Sequence, residues 1–384
     1  MKIAMFTDSY FPTIDGVVVS LTSTSQELKK QGHEVVVFAP EPTGGIIDHL
    51  PDRVIWLPAF GFREYETYRS ALFPSSIVSL VRSEQPDIIH SHGIGFMGLQ
   101  ALIASRQTKI RNVLTYHTLL HEAADHYAPP IMPVDVMVRL AWFYQKSFLK
   151  RPHAVITPTR AIRDELEGYG IRARRWEAIA TGVDCERFSP NVSGKEVRDK
   201  YGLYDCQMIL TVGRVAKEKN LELLLAGFKE LINKEKCAKL LIVGKGPAME
   251  EYQNLTKEMN LDQNVVFTGF IPDSQLASYY AACDAFAIAS KFETQGIAAV
   301  EAMASGKPIA GMRSKALPEI IREGENGYLF DDDQKSCADA LDRAINDRSD
   351  VSAGARRTGL EFSLDKCTAK LVDLYKDLHD AEDA

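Results

Sequence analysis

"DAFAIASKFETQGIAAVEAMASGKPIAGM", residues 284–312, is the stretch on which the fold turns. Its first residues make a short apolar run, its centre repeats apolar residues at helical spacing behind Gly296, and a second apolar run follows Pro308. Two short runs joined by a helical segment read as a strand–helix–strand unit, and the crossover helix lets the two strands run parallel. The same alternation continues on both sides. Strands are expected at "KIAMFT", "HEVVVFA", "RVIWLP", "DIIHSH", "NVLTYH" and "AVITPT", with helices between them, for example over residues 17–31 and 75–84. A second series starts at "QMILTVG" and runs through "KLLIVG", "VVFTGF", "DAFAIAS", "PIAGM" and "GYLF". The expected fold class is therefore α/β, two doubly wound parallel-sheet, Rossmann-like domains.

Periodicity lapses at "ATGVDCERFSPNVSG", so the domains are expected at residues 1–180 and 181–384. The final segment, within 364–384, is an amphipathic helix able to pack back on the first domain. At 384 residues the chain is long for one core, and 45% hydrophobic with 25% charged residues is a globular composition. No apolar run reaches the roughly 18 to 20 residues of a membrane-spanning helix. The N-terminus meets an acid and a proline too soon for a signal peptide, which points to a cytoplasmic protein. Six cysteines, all after residue 184 and without CxxC spacing, argue against a disulfide scaffold or a zinc site.

Charge is divided unevenly. Residues 1–180 carry 19 Lys and Arg against 18 Asp and Glu, and the rest carries 26 against 34. Eight of the nine histidines fall in the first part. The acidic second part excludes nucleic acid as a general partner.

Glu293 and Glu301 flank the expected helix start, Glu293 in the loop and Glu301 leaning back from the second turn. Helix starts offer free amides, here Gln295, Gly296 and Ile297 beside Thr294, and a partial positive charge that seats phosphate. Carboxylates repel phosphate, so their partners should be neutral hydroxyls. A ligand with phosphates between two polyols, a nucleotide sugar, has that layout. In "TVGRVAKEKN" the backbone at Gly213 and the cations Arg214 and Lys219 can meet the diphosphate. Gly244 and Gly246 of "IVGKGP" permit close approach of a ligand, and "FTGFI", with Phe270, can offer its backbone to a base.

"GRVAKEKN", "IVGKGP", "FETQGIAAVEAMASGKPIAG" and "TGVDCERFSP" together resemble the retaining GT-B glycosyltransferases of family 4, and "HSHG" and "TYHT" fit its first domain. The resemblance implies an active site in the cleft between the domains, the first binding the acceptor and the second the nucleotide-sugar donor. It assigns Glu293 to the donor sugar, Glu301 to the ribose, and Arg214 and Lys219 to the leaving diphosphate. Gly16 falls in the first loop, and His117 of "TYHT" matches the family's active-site histidine. It implies a front-face route in which the departing phosphate helps deprotonate the acceptor, with no cofactor and no metal. "FDDDQ", Asp331 to Asp333, is read as a solvated acidic turn rather than a metal motif.

"ETQG" and "TYHTLLHEAADHY" look like the branch that glycosylates lipids such as diacylglycerol, often from a UDP-sugar. Residues 139–175 hold nine Lys and Arg against three acids, with Trp142, Phe143, Tyr144 and Phe148 among them. That composition suits peripheral contact with an anionic membrane at its inner face. GDP-mannose as donor, a soluble acceptor, and a nucleotide-sugar-binding protein without transferase activity are the alternatives.

Overall fold

The computed structural model describes all residues except 14, 43–49, 63–64, 72–75, 118–133, 235–236, 347–348 and 382–384. The chain forms two compact units, Met1–Gly182 with Leu364–Ala384, and Val183–Ser363. The second unit thus ends at Ser363 rather than at 384.

Strands of the first unit are β1 (Lys2–Thr7), β2 (Glu34–Pro40), β3 (Arg53–Leu57), β4 (Ala59–Phe62), β5 (Tyr65–Ala71), β6 (Ile88–His92), β7 (Arg111–Thr115), β8 (Ala154–Thr157) and β9 (Trp176–Ala178). Seven of them form one sheet in the order β3-β2-β1-β6-β7-β8-β9, while β4 and β5 pair separately as an antiparallel hairpin. Alternation along β1 explains the layers. Ile3 and Met5 pack on one face with Leu21, Leu28, Leu371 and Tyr375, whereas Ala4 and Phe6 pack on the other with Met97, Ala101 and Ala104. Leu371, Tyr375 and Leu378 repeat at helical spacing, which is why the last helix, Leu364–Asp380, covers this sheet.

The second unit holds β10 (Gln207–Val212), β11 (Ala238–Val243), β12 (Val265–Gly269), β13 (Ala285–Ile288), β14 (Ile309–Met312) and β15 (Gly327–Phe330). Its sheet is parallel, in the order β12-β11-β10-β13-β14-β15. Sequence order reverses at β1/β6 in one sheet and at β10/β13 in the other. Ligands of open α/β sheets bind beyond the carboxyl ends of the strands at such points.

The twelve strands expected from sequence are all present, and the α/β class stands. The hairpin and the three-residue β9 are additions. Among the cysteines, Cys206 and Cys237 are joined by a disulfide, with Cα atoms 4.8 Å apart. Spacing hides this pair because 31 residues separate them; they meet because each immediately precedes one of two neighbouring parallel strands, β10 and β11.

Of the basic aromatic stretch, helix Val134–Phe148 turns Phe148 and Trp142 inward. Its opposite stripe is open: Val136, Leu140 and Phe143 are 42%, 54% and 72% exposed. No helix among the described residues is long and apolar enough to cross a membrane.

Candidate active site

In the second unit, the loops after β10 and β13 flank the reversal point. After β10 the chain passes Gly213 and Arg214, makes a single 3-10 turn over Lys217–Lys219, and enters helix Leu221–Lys234 through Asn220 in the left-handed region. This turn puts Lys219 against the neighbouring loop, where its Nζ donates to Glu293 Oε1 at 2.6 Å. Arg214 instead reaches one turn forward to Glu218, 2.5 Å away. Ser290 Oγ donates to the Glu218 carbonyl at 3.2 Å, so backbone as well as charge joins the two loops.

Helix Ile297–Ala304 follows. Its N-cap, Gly296, sits at φ 77° and ψ 53° and supplies no capping side chain, so the first-turn amides are left to other partners. Thr294 is half-buried and Gln295 buried within the approach to that helix. Glu301 accepts a hydrogen bond from the Tyr280 hydroxyl at 2.6 Å. Burial pushes its carboxyl up to about 7, opposed by Tyr280 and Arg187. The structure thus brings Lys219 to Glu293 and sets Glu301 one turn along the adjoining helix, while Arg214 faces its own loop.

The glycines of "IVGKGP" are required by the fold itself. A Cβ on Gly244, where φ is +133°, would overlap the Gly213 carbonyl, and one on Gly246 would overlap that of Val215. Close approach here is by the neighbouring loop of the same sheet, held by Val215 N–H donating to the Lys245 carbonyl at 3.0 Å. Phe270, just past β12, is 62% exposed at the edge of the same strand ends.

Each carboxylate of the acidic turn has protein partners. Asp333 caps helix Gln334–Asn346 by accepting from the amides of Lys335 and Ser336, while Asp331 and Asp332 pair with Arg313 and Lys291. No group of three or more potential ligands is assembled among the described residues.

In the first unit Gly16 opens helix Gly16–Lys30, and Asp15 caps it by accepting from Val17 and Val18, both at 2.9 Å. His117 lies just beyond β7. Burial lowers its imidazole to about 4, with Asp15 acting in the opposite sense. Its Nε2 shares a 3.2 Å hydrogen bond with His92 Nδ1. Sequence reasoning used "HSHG" only as a matching motif and assigned no role to His92. The alternation of β6 carried the signal, since it puts His90 and His92 on one face. The lipid-branch segment "TYHTLLHEAADHY" lies outside the described residues beyond His117.

Two doubly wound parallel-sheet units in one chain are the GT-B architecture. Sucrose-phosphate synthase from Thermosynechococcus elongatus has this fold, with a TM-score of 0.82 at 22% identity over 99% of this chain and 100% of that one. Residues 14–187 match the model described as Glycosyltransferase Family 4, and residues 195–358 match Glycosyl transferases group 1. The chain belongs to glycosyltransferase family 4. It is 31% identical to the alpha-monoglucosyldiacylglycerol synthase of Streptococcus pneumoniae, over 86% of this chain and 75% of that protein. A GDP-mannose-dependent alpha-mannosyltransferase of Corynebacterium glutamicum is 28% identical, over 98% of this chain and 89% of that one. Transfer of a sugar from a nucleotide sugar is accordingly the reaction class.

Proposed function

We propose that the chain moves a hexosyl group, with retention, from a UDP-sugar to a hydroxyl of a membrane glycerolipid. The observation that carries this reading is the Lys219–Glu293 pair at 2.6 Å on the loops flanking the β10/β13 reversal. A bound diphosphate takes over Lys219 and Arg214, which frees Glu293 for the sugar hydroxyls. Glu301 takes the ribose, Gly213 and the amides of Gln295, Gly296 and Ile297 meet the phosphates, and Thr294 and Phe270 border the sugar and base. Stabilising the departing charge is then the main catalytic work, and these cations supply it without a divalent ion. On the first unit, His117 and the loop at Gly16 serve the reacting sugar and the acceptor.

The glycerolipid acceptor is supported by the pneumococcal relative's name and by the open stripe on helix Val134–Phe148. Arg139, Lys146, Lys150 and Arg151 lie on or just beyond that helix, so its charge complements an anionic leaflet. Sedimentation with phosphatidylglycerol vesicles at low salt is expected, weakened by high salt and by Phe143→Glu. Absence of binding at low salt removes the membrane part of the reading.

The reaction is tested by incubating the protein with UDP-glucose or GDP-mannose and with diacylglycerol, a glucosylated diacylglycerol or inositol phosphate. NMR of the product gives the anomeric configuration. Transfer from UDP-glucose to lipid with an α linkage is expected. Preference for GDP-mannose or for inositol phosphate overturns the choice of donor or acceptor. Donor binding without transfer to any acceptor would leave a nucleotide-sugar-binding protein.

A further inference from the structure

The donor loops leave unused an unusual group in the first unit. His90 and His92 project from one face of β6, and Thr115 on β7 is the register partner of His92. His117, two residues beyond Thr115, extends the same ladder. His90 is held at both nitrogens, by the Tyr375 hydroxyl at 2.5 Å and Thr115 Oγ1 at 2.7 Å. Its ring lies against that of His92, centroid to centroid 4.2 Å.

His92 and His117 meet differently. Their ring planes differ by 14° with centroids 5.4 Å apart, so the rings lie nearly edge to edge with the bonded nitrogens between their centres. Burial lowers the pKa of all three histidines, which leaves each with one ring proton near neutral pH. A hydrogen bond between two neutral imidazoles uses one proton and one lone pair. The tautomer of His117 is therefore tied to that of His92.

The other nitrogen of His92, Nε2, is buried with no hydrogen-bond partner. His92 lines a cavity of about 30 Å³ that also presents Ser20, Thr24 and Thr181. A single water fits such a space and has polar partners there.

We propose that His92 is a positioning residue for this site: through Nδ1 it holds Nε2 of His117, selecting one tautomer of that ring and the direction it faces. His90, Thr115 and Tyr375 brace the pair from behind. The proposal rests on the reading of His117 as a site residue.

Nitrogen-15 histidine NMR tests it directly, on the intact protein. A single His117 tautomer is expected in the unaltered chain, a mixture of tautomers in His92→Leu, and the original one in His92→Asn, whose amide can stand in for Nδ1. In the sugar-transfer assay, His92→Leu should lower kcat roughly 10- to 100-fold, the scale set by misplacing one catalytic group. Donor KM should stay within about threefold, and His92→Asn should recover most of the rate. An unchanged His117 tautomer in a folded His92→Leu protein overturns the proposal. So does a rate for His92→Asn as low as that for His92→Leu, which would mean packing alone. Should His92→Leu fail to fold, His117→Ala gives the reciprocal test: the His92 tautomer must change, and an unaltered His92 spectrum refutes the bond. The spectra stand even if the protein transfers no sugar, so failure of the reaction and failure of the positioning role are distinguishable.

Discussion

The two units repeat one architecture but set different side chains at their reversal points. At the strand ends of the first unit, buried histidines are held neutral and bonded to one another, to hydroxyls and to each other's rings. At the corresponding ends of the second, full charges are already paired, Lys219 with Glu293 and Arg214 with Glu218. A pre-paired cation can exchange its carboxylate for a phosphate at little net cost, because the charge is desolvated in part beforehand. A neutral imidazole ladder suits uncharged hydroxyls. If the proposed function holds, the difference teaches that anionic leaving-group chemistry and hydroxyl chemistry fall to separate units.

The sharpest way to break that division is Lys219→Ala. It strands Glu293 and removes the charge proposed to meet the diphosphate, so turnover should fall by roughly 1,000-fold or more, on the scale of losing a preorganised transition-state donor. Steady-state release of nucleoside diphosphate measures it, with circular dichroism to verify folding. Retention of a tenth of the activity would return the charge problem to some other part of the chain. Next in size is a contrast between glycines. Gly244→Ala forces a Cβ into the Gly213 carbonyl at a positive φ and should cost more than about 2 kcal/mol of stability. Gly16→Ala meets nothing within 4 Å and should stay within about 0.5 kcal/mol. Urea unfolding of both variants decides whether the second unit's glycines are structural, as their geometry demands.

These glycines also mark where reading the sequence stops. Short apolar runs set between segments of helical spacing located twelve strands, because burial on both faces of a parallel sheet leaves a continuous apolar signal. The residues of the donor loops could be named for the same reason, as they follow directly on those strands. What could not be read was a close contact set by sheet register between distant segments. Gly244 meets Gly213, Cys206 meets Cys237, and His92 meets His117 only through sheet register. β9 escaped because three residues ending a basic stretch give no period, and β4 and β5 because their residues alternate without strong apolar contrast.

A pH experiment sharpens the comparison in both units at once. If Glu301 takes the ribose as proposed, binding needs the carboxylate, and its pKa of about 7 should make affinity rise about tenfold between pH 6 and 8, with Glu301→Gln flat across that range. Isothermal titration with UDP checks this, and a pH-independent affinity in the unaltered chain would detach Glu301 from the ligand. Stability moves in opposite senses. An acid with a raised pKa keeps its proton in the fold after the unfolded chain has lost it, so Glu301 makes stability fall as pH rises from about 4.5 to 7. The first unit's histidines stay neutral while the unfolded chain takes up protons. Their contribution therefore declines as pH drops from about 6.5 toward 4, and replacing His90 and His117 by Gln should flatten that acid limb.

The smallest effect is expected at the acidic turn, where an apparent metal motif sits within the charged unit. Asp332 pairs with the exposed Lys291 at 2.5 Å, and surface pairs of this kind contribute at most about 1 kcal/mol. Asp332→Asn should therefore leave turnover within about twofold, and chelation by EDTA should leave it unchanged if the cations of the β10 loop meet the diphosphate as proposed. If instead Asp332→Asn and EDTA each abolish transfer, and added magnesium or manganese restores the chelated enzyme, the second unit's charges work through a bound ion. The proposed contrast between the two units would then have to be given up, because the second unit's cations would not be neutralising a leaving group alone.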